Sequence, residues 1–258
     1  MNKTALITGA SSGIGKELAR IHAQKGGDLV IVARSGDKLD ELKKELEEKH
    51  SVKVTAIVKD LGLSGAAKEL YDEVKAANIK VDYLVNNAGF GLIGTFHELD
   101  LDKQVGMMNL NMTVLTVLTH LFLKDFVKEG FGKILNVSSV ASFMPGPGQA
   151  IYYATKSFVQ FLSNAIFEEC RGTGVTVTNL MPGATKTGFG AISGMDKTSM
   201  FKKTANAYDV ALDGYNGMLK GKMDVMTGVI CSQRLMFKML PFLPKKMVIK
   251  TVKKMQEV

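Results

Sequence analysis

A phenol and an amine, four residues apart, are the groups in this sequence best suited to chemistry: Tyr152 and Lys156 in the run Tyr152-Tyr153-Ala154-Thr155-Lys156. If the run opens a helix, that spacing puts both side chains on one face. A free phenol, with a pKa of about 10, is a poor acid or base at neutrality. An ammonium held beside it favours the phenolate and lowers that value. Such a pair can trade a proton with a carbonyl or an alcohol oxygen. Taken alone, the pair equally fits a chance Tyr and Lys on a helix surface. The sequence upstream decides between the two.

The first positioning element is at the start. Thr4-Ala5-Leu6-Ile7 is a short apolar run that ends in Thr8-Gly9-Ala10-Ser11-Ser12-Gly13-Ile14-Gly15, after which Ile14, Leu18 and Ile21 recur at helical spacing. Strand, glycine turn and helix in this order let the backbone approach a pyrophosphate and point free N–H groups at it. Gly9, Ser11, Ser12, Gly13, Ile14 and Gly15 are therefore candidate dinucleotide-binding residues. A purely structural Gly-rich turn is the alternative.

A second strand, Leu29 to Ala33, ends at Arg34 with no acid at its tip. An acid there would suit a ribose 2′-hydroxyl; a guanidinium suits a 2′-phosphate. Arg34, with Ser35 and Lys38 in support, predicts NADP(H) over NAD(H), and Asp37 is the residue that argues the other way. Leu39, Leu42 and Leu46 stripe a charged surface helix. Val52 to Val58 reads as a strand leading into Lys59-Asp60-Leu61, which puts Asp60 and Leu61 at a strand's carboxyl end, where ligands bind, though Asp60 also suits a turn cap. Ala66 to Ala77 is a third helix. Val81 to Val85 is a fourth strand, followed by Asn86-Asn87-Ala88-Gly89. Strands alternating with helices over short links predict an α/β fold with a parallel, doubly wound sheet.

Jointly, Thr8 to Gly15, the Asn86 to Gly89 run, and Tyr152 with Lys156 resemble the short-chain dehydrogenase/reductase family over about the first 190 residues. The resemblance implies one Rossmann-like domain over residues 1–258, of about seven strands with helices on both faces. It implies an NADP(H)-dependent oxidoreductase that interconverts a carbonyl and a secondary alcohol on a small molecule. Ser139 lies thirteen residues before Tyr152, after the strand Lys133 to Val137, and matches the family's catalytic Ser, with Ser138 as competitor. Asn111 lies twenty-eight residues before Ser139 and matches the catalytic Asn, with Asn109 as competitor. By the same resemblance Tyr152 is the general acid/base, Ser139 donates a hydrogen bond to the reacting oxygen, Lys156 also holds the nicotinamide ribose, and Asn111 holds a water that links Lys156 to solvent. Asn87, Ala88 and Gly89 border the cofactor. Pro182-Gly183, at the end of the strand Val175 to Leu180, Thr185 through its backbone, and Thr187 face the carboxamide. Relatives pair through two long helices, here near Met112 to Phe126 and Ala154 to Phe167, which implies a homodimer or homotetramer.

The remaining sequence sets limits. With 258 residues and 46% apolar content, the chain is long enough for one large domain with a substantial core. Cys170 and Cys231 match no metal spacing, and the four histidines are scattered, so no metal site is expected. Two unpaired cysteines and no fitting signal peptide predict a reducing, cytoplasmic setting. The apolar stretch from Leu110 to Leu123, broken by Asn111, three Thr and His120, is too short and polar to span a bilayer. The net charge of +8 is concentrated: Arg234 to Val258 carries seven cations and one acid, leaving +2 for the rest. That argues against nucleic acid as a partner. Residues 188–205 leave the strand–helix pattern and are expected to form a substrate lid. Val210 to Leu219 reads as a helix and Met223 to Met226 as the last strand. Residues 235–258 form a basic, apolar tail broken by Pro241 and Pro244. It is expected to pack on the domain or a partner subunit and roof the pocket; contact with an anionic membrane is the less favoured reading. The substrate is not legible beyond a hydrophobic ketone. A 3-oxoacyl thioester, a membrane-surface lipid or steroid ketone, and a non-catalytic dinucleotide sensor are the alternatives.

Overall fold

The computed structural model describes residues 3–198, 201 and 203–256. Seven parallel strands form one sheet in the order β3-β2-β1-β4-β5-β6-β9. They are β1 (Thr4–Thr8), β2 (Asp28–Ala33), β3 (Val54–Val58), β4 (Tyr83–Asn86), β5 (Gly132–Val137), β6 (Val175–Pro182) and β9 (Asp224–Thr227). In register, Leu6 pairs with Val30 on one side and with Leu84 on the other. The order reverses between β1 and β4, which opens a crevice at their carboxyl ends.

Strand residues alternate between two cores, as a sheet covered on both faces requires. Ile7, Ile31, Val85 and Leu135 pack under α1 (Gly13–Gln24), α2 (Gly36–His50) and α8 (Ala207–Leu219). Leu6, Val30, Leu84 and Ile134 pack under α3 (Ala66–Ala76) and α5 (Leu115–Glu129). Leu39, Leu42 and Leu46 are fully buried, so the stripe read from sequence is α2's inner face.

The long helix starts earlier than the apolar pattern indicates. α4 (Leu101–Met108) is capped by Asp100, which accepts from the Lys103 N–H at 2.8 Å. It continues through a π-helical turn, Asn109–Val114, into α5. The 29 residues make a helix long and apolar enough to cross a membrane, against the expectation from its apolar stretch alone. Leu115, Leu118, Phe122 and Phe126 are nevertheless buried against the sheet, so it serves as a core helix here.

One further expectation needs correction. The lid region is partly regular: β7 (Thr185–Lys186) pairs with β8 (Ala205–Asn206), and between them lie α7 (Phe189–Ser193) and a 3-10 turn, Met195–Lys197. Ser199, Met200 and Lys202 of that region lie outside the described residues. The prolines of the tail separate elements rather than abolish them. α9 (Cys231–Met239), a 3-10 turn at Leu240–Phe242, and α10 (Lys245–Gln256) follow one another. Residues 257 and 258 of the tail are outside the described residues.

Candidate active site

The glycine turn is fixed by its neighbours across the switch point. The Thr8 hydroxyl accepts from the backbone N–H of Asn87 and of Ala88, each at 3.0 Å, and donates to the Val85 carbonyl at 3.3 Å. The Asn87 carboxamide donates to the carbonyls of Thr8 (2.9 Å) and Gly9 (3.2 Å). Gly9 has φ +67°, and a Cβ there would lie 2.8 Å from that carboxamide nitrogen. Gly13, at φ +56°, would collide with the Thr187 methyl at 2.9 Å. Only glycine allows the turn this shape and keeps its edge open.

The cleft above it, about 370 Å³, runs from Arg34 to the lid. Its lining takes in Gly9, Ser11, Ser12, Gly13 and Ile14, then Asp60, Leu61, Asn87, Ala88 and Gly89. It continues past Ser139, Tyr152 and Lys156 to Pro182, Gly183, Thr185 and Thr187. Two expected residues do not reach the surface of the cleft. Gly15 is buried, with Asn87 and the Gly9 carbonyl each 2.4 Å from where its Cβ would stand; it lets α1 close on the strand rather than touching a ligand. Asn111 is buried behind Phe90.

At the far end Arg34, Lys38 and Lys59 line the cleft, and Asp37 does not. Asp60 does what a turn cap does, accepting from the Gly62 N–H at 2.9 Å, while still bordering the cavity. These residues fit a dinucleotide: a glycine-walled cradle for the pyrophosphate and a cationic end for a ribose phosphate.

At the reacting end four elements converge. Tyr152 and Lys156 sit on α6 (Ala150–Glu169), both buried, with the Lys156 ammonium 5.8 Å from the Tyr152 ring centre. Lys156 donates to the Val137 carbonyl at 2.9 Å, which draws the ammonium toward β5. Ser139 follows β5 and opens a 3-10 turn, Val140–Phe143, accepting from the Ala141 N–H at 3.1 Å. Its neighbour Ser138 turns the other way and donates to the Lys156 carbonyl at 2.7 Å, a structural bond. Asn111 sits in the π-helical turn. It accepts from the Phe90 N–H (3.1 Å) and donates to the Phe90 carbonyl (3.0 Å) and the Thr155 hydroxyl (3.1 Å). Asn109 instead donates to the Gly62 carbonyl at 2.7 Å, away from Lys156. Ser139 thus meets the Tyr152 hydroxyl, whereas Ser138, Asn109 and Asn111 spend their polar groups on structural bonds.

The titration of the pair departs from expectation. Burial holds the Tyr152 phenol well above its ordinary range, and a hydrogen bond with Ser139 pulls it partly back. Burial pushes the Lys156 amine down to about 8. The lowering of the phenol by Lys156 that the spacing predicts is not seen. The amine lies over the ring and bonds a carbonyl, and desolvation of the phenolate outweighs its field.

The substrate side was missed by sequence reasoning, apart from the lid and tail as regions. Phe90, Val140, Phe189, Met195 and Phe201 give it an apolar wall. Phe189 stacks at a tilt on Tyr152, ring centres 5.6 Å apart. Val248 and Val252 of α10 join the buried cluster of Tyr152 and Tyr153, and the Gln256 carboxamide donates to the Tyr153 hydroxyl at 2.7 Å. α10 therefore packs on its own domain, against the cluster that holds Tyr152 and Tyr153. Only the doubled Tyr and the valine spacing of the tail hinted at this.

A doubly wound parallel sheet with a glycine cradle at its switch point and Ser, Tyr, Lys and Asn gathered beside it defines a class of dinucleotide-binding proteins. Residues 3–197 match the short chain dehydrogenase family, and the chain belongs to it. Among curated relatives, the human very-long-chain 3-oxoacyl-CoA reductase is 36% identical over 188 residues, 70% of this chain and 59% of that one. Sulfoacetaldehyde reductase 2 of Chromohalobacter salexigens is 37% identical over 191 residues, 73% of this chain and 75% of that one. Among solved structures, a short-chain dehydrogenase from Sphingobium yanoikuyae in complex with NADPH superposes with a TM-score of 0.84 at 32% identity, covering 90% of this chain and 91% of that one. The bulky-bulky ketone specific alcohol dehydrogenase of Comamonas testosteroni gives 0.80 at 29%, covering 93% and 92%.

Proposed function

We propose that the protein is an NADP(H)-dependent oxidoreductase that interconverts a carbonyl and a secondary alcohol on a hydrophobic substrate. The observation that carries this reading is the convergence of Ser139, Tyr152 and Lys156 on one end of a cleft whose other end is Arg34 and Lys38, with Asn111 buried behind Phe90. The cofactor, when bound, supplies or accepts the hydride. The chain's own residues handle the oxygen. Ser139 donates a hydrogen bond to the oxygen as charge builds on it. Tyr152 gives that oxygen its proton in reduction and takes it back in oxidation. Lys156, held one helical turn away by the Val137 carbonyl, is placed to hold the nicotinamide ribose, and Asn111 holds the Phe90 backbone and the Thr155 hydroxyl in place. The apolar wall excludes water.

Two features support a long-chain or bulky ketone. The wall is aromatic and aliphatic, and relatives include 3-oxoacyl-CoA and bulky-ketone enzymes. A 3-oxoacyl thioester is the second reading. A panel of ketones, 3-oxoacyl thioesters and alcohols with NADPH and NADH, followed at the nicotinamide absorbance, tests both. Tyr152→Phe is expected to lower turnover roughly 10²- to 10⁴-fold, with NADPH binding retained by fluorescence titration. Turnover equal to the wild type would remove Tyr152 from the chemistry. Cytoplasmic residence and a homo-oligomeric state complete the proposal.

A further inference from the structure

The tail has two surfaces with different chemistry. One face of α10 packs on the buried cluster around Tyr152 and Tyr153 through Val248, Val252 and Gln256. The surface leading into it is open and apolar. Leu235, Met236, Met239, Phe242, Leu243 and Met247 are all exposed, Leu235 at 64% and Phe242 at 79%. They follow one another through α9, the 3-10 turn and the first turn of α10. Cations border them: Arg234, Lys245, Lys246, Lys250, Lys253 and Lys254 are exposed. Among the described residues none of these six pairs with a carboxylate; Arg234 donates only to the Met226 carbonyl. No Asp or Glu stands between Asp224 and Glu257.

An exposed apolar strip of this length marks an interaction surface. Cations with no carboxylate partner among the described residues select a partner with negative charge. A second copy meeting this strip across a two-fold axis would set lysine against lysine with nothing to neutralise them. An anionic lipid surface satisfies both halves at once. The apolar side chains enter the boundary between headgroups and acyl chains, and the ammonium groups meet the phosphates.

We propose that the strip from α9 to the start of α10 docks the protein on the surface of an anionic lipid bilayer, without crossing it. This stands apart from the reaction proposed above. Docking brings the helix packed on the Tyr152 and Tyr153 cluster close to the lipid, since the same helix carries both surfaces.

The test is co-sedimentation of the full chain with phosphatidylcholine vesicles and with vesicles that also contain phosphatidylglycerol. The protein is expected to pellet with the mixed vesicles at low salt, to be released substantially at high salt, and to stay largely in solution with phosphatidylcholine alone. Lys245→Gln with Lys246→Gln is expected to lower partitioning roughly 30-fold, from about five-fold per cation near an anionic surface. Leu235→Ser with Phe242→Ser is expected to abolish pelleting, with the melting temperature and the turnover of a water-soluble ketone unchanged. Wild-type protein that remains in solution with mixed vesicles, or variants that pellet as it does, would overturn the proposal. So would light scattering in which Leu235→Ser with Phe242→Ser halves the mass in solution, which would make the strip a contact between copies. Should the apolar variant fail to fold, the lysine pair, fully on the surface, decides alone.

Discussion

At the scale of the residue, the site works by giving identical neighbours different tasks. Ser138 and Ser139 both border the cleft, yet the Ser138 hydroxyl ties α6 to the end of β5 while that of Ser139 meets Tyr152. Arg34 lies exposed at the tip of β2 with the cleft beside it, and Asp37 does not line that cleft. Arg34→Ala is therefore expected to weaken NADPH far more than NADH, on the order of 10-fold or more for loss of a charge-assisted bond. Comparison of the two dissociation constants checks this, and an unchanged ratio would take Arg34 out of the site. Lys156 gives a second expectation. Its folded value of about 8 lies below the ordinary 10.5, so the unfolded chain binds the extra proton between those two values. Stability from this group therefore rises as pH climbs through that window and is flat below it. Melts of the wild type and Lys156→Met without nucleotide should show the wild type gaining on the variant from about pH 8 to 10.5. A constant difference would mean the amine is better solvated than its burial implies.

At the scale of the element, strand–turn–helix units are legible in sequence because period and punctuation coincide. Leu6 and Ile7 alternate into opposite cores, and Gly9 to Gly15 cannot be mistaken for a strand continuing. Ser139 lies just past the end of β5, whereas Asn111 lies inside the helix from Leu101 to Glu129. The π-helical turn carrying Asn111 was not legible, because Asn109 to Val114 has the periodicity of ordinary helix. Nor was the contact of Gln256 with Tyr153, 103 residues away, since no local pattern records so distant a partner. α10 depends on that contact and on two valines. Val252→Ala is expected to cost about 1–2 kcal/mol of stability. It should raise KM for bulky apolar ketones while the NADPH dissociation constant holds. Steady-state kinetics with a small and a bulky ketone separate the two effects; equal changes would mean that α10 does not border the substrate.

For the whole molecule, exposed apolar side chains gather in two places, while others such as Val58, Leu63 and Tyr208 stand scattered. One is the tail. The other runs along α4 to α6, where Leu101, Val105, Phe158 and Phe161 are exposed, Phe161 at 72%. Phe158 and Phe161 lie on the second of the two helices through which the family resemblance implies pairing, and Leu101 and Val105 lie outside both. Phe161→Glu is expected to turn an oligomer into a monomer in size-exclusion chromatography with light scattering, by burying a charge against an apolar partner. An unchanged mass would place any pairing elsewhere. The lid was readable as a break in pattern but not as a short helix. Gly188 to Ala205 mixes Gly, Ser, Met and Lys without a period, and its helical turn is held by contacts such as Phe201 against Gly190 rather than by propensity.

The widened turn from Asn109 to Val114 implies a tension between heat resistance and turnover. A helix with regular bonding from Leu101 to Glu129 would be sturdier than one that carries a six-residue irregularity. Its regularity would also swing Asn111 away from Phe90 and Thr155. Screens that reward survival on heating alone should therefore gather changes in this turn, and the hardiest survivors should be the slowest catalysts.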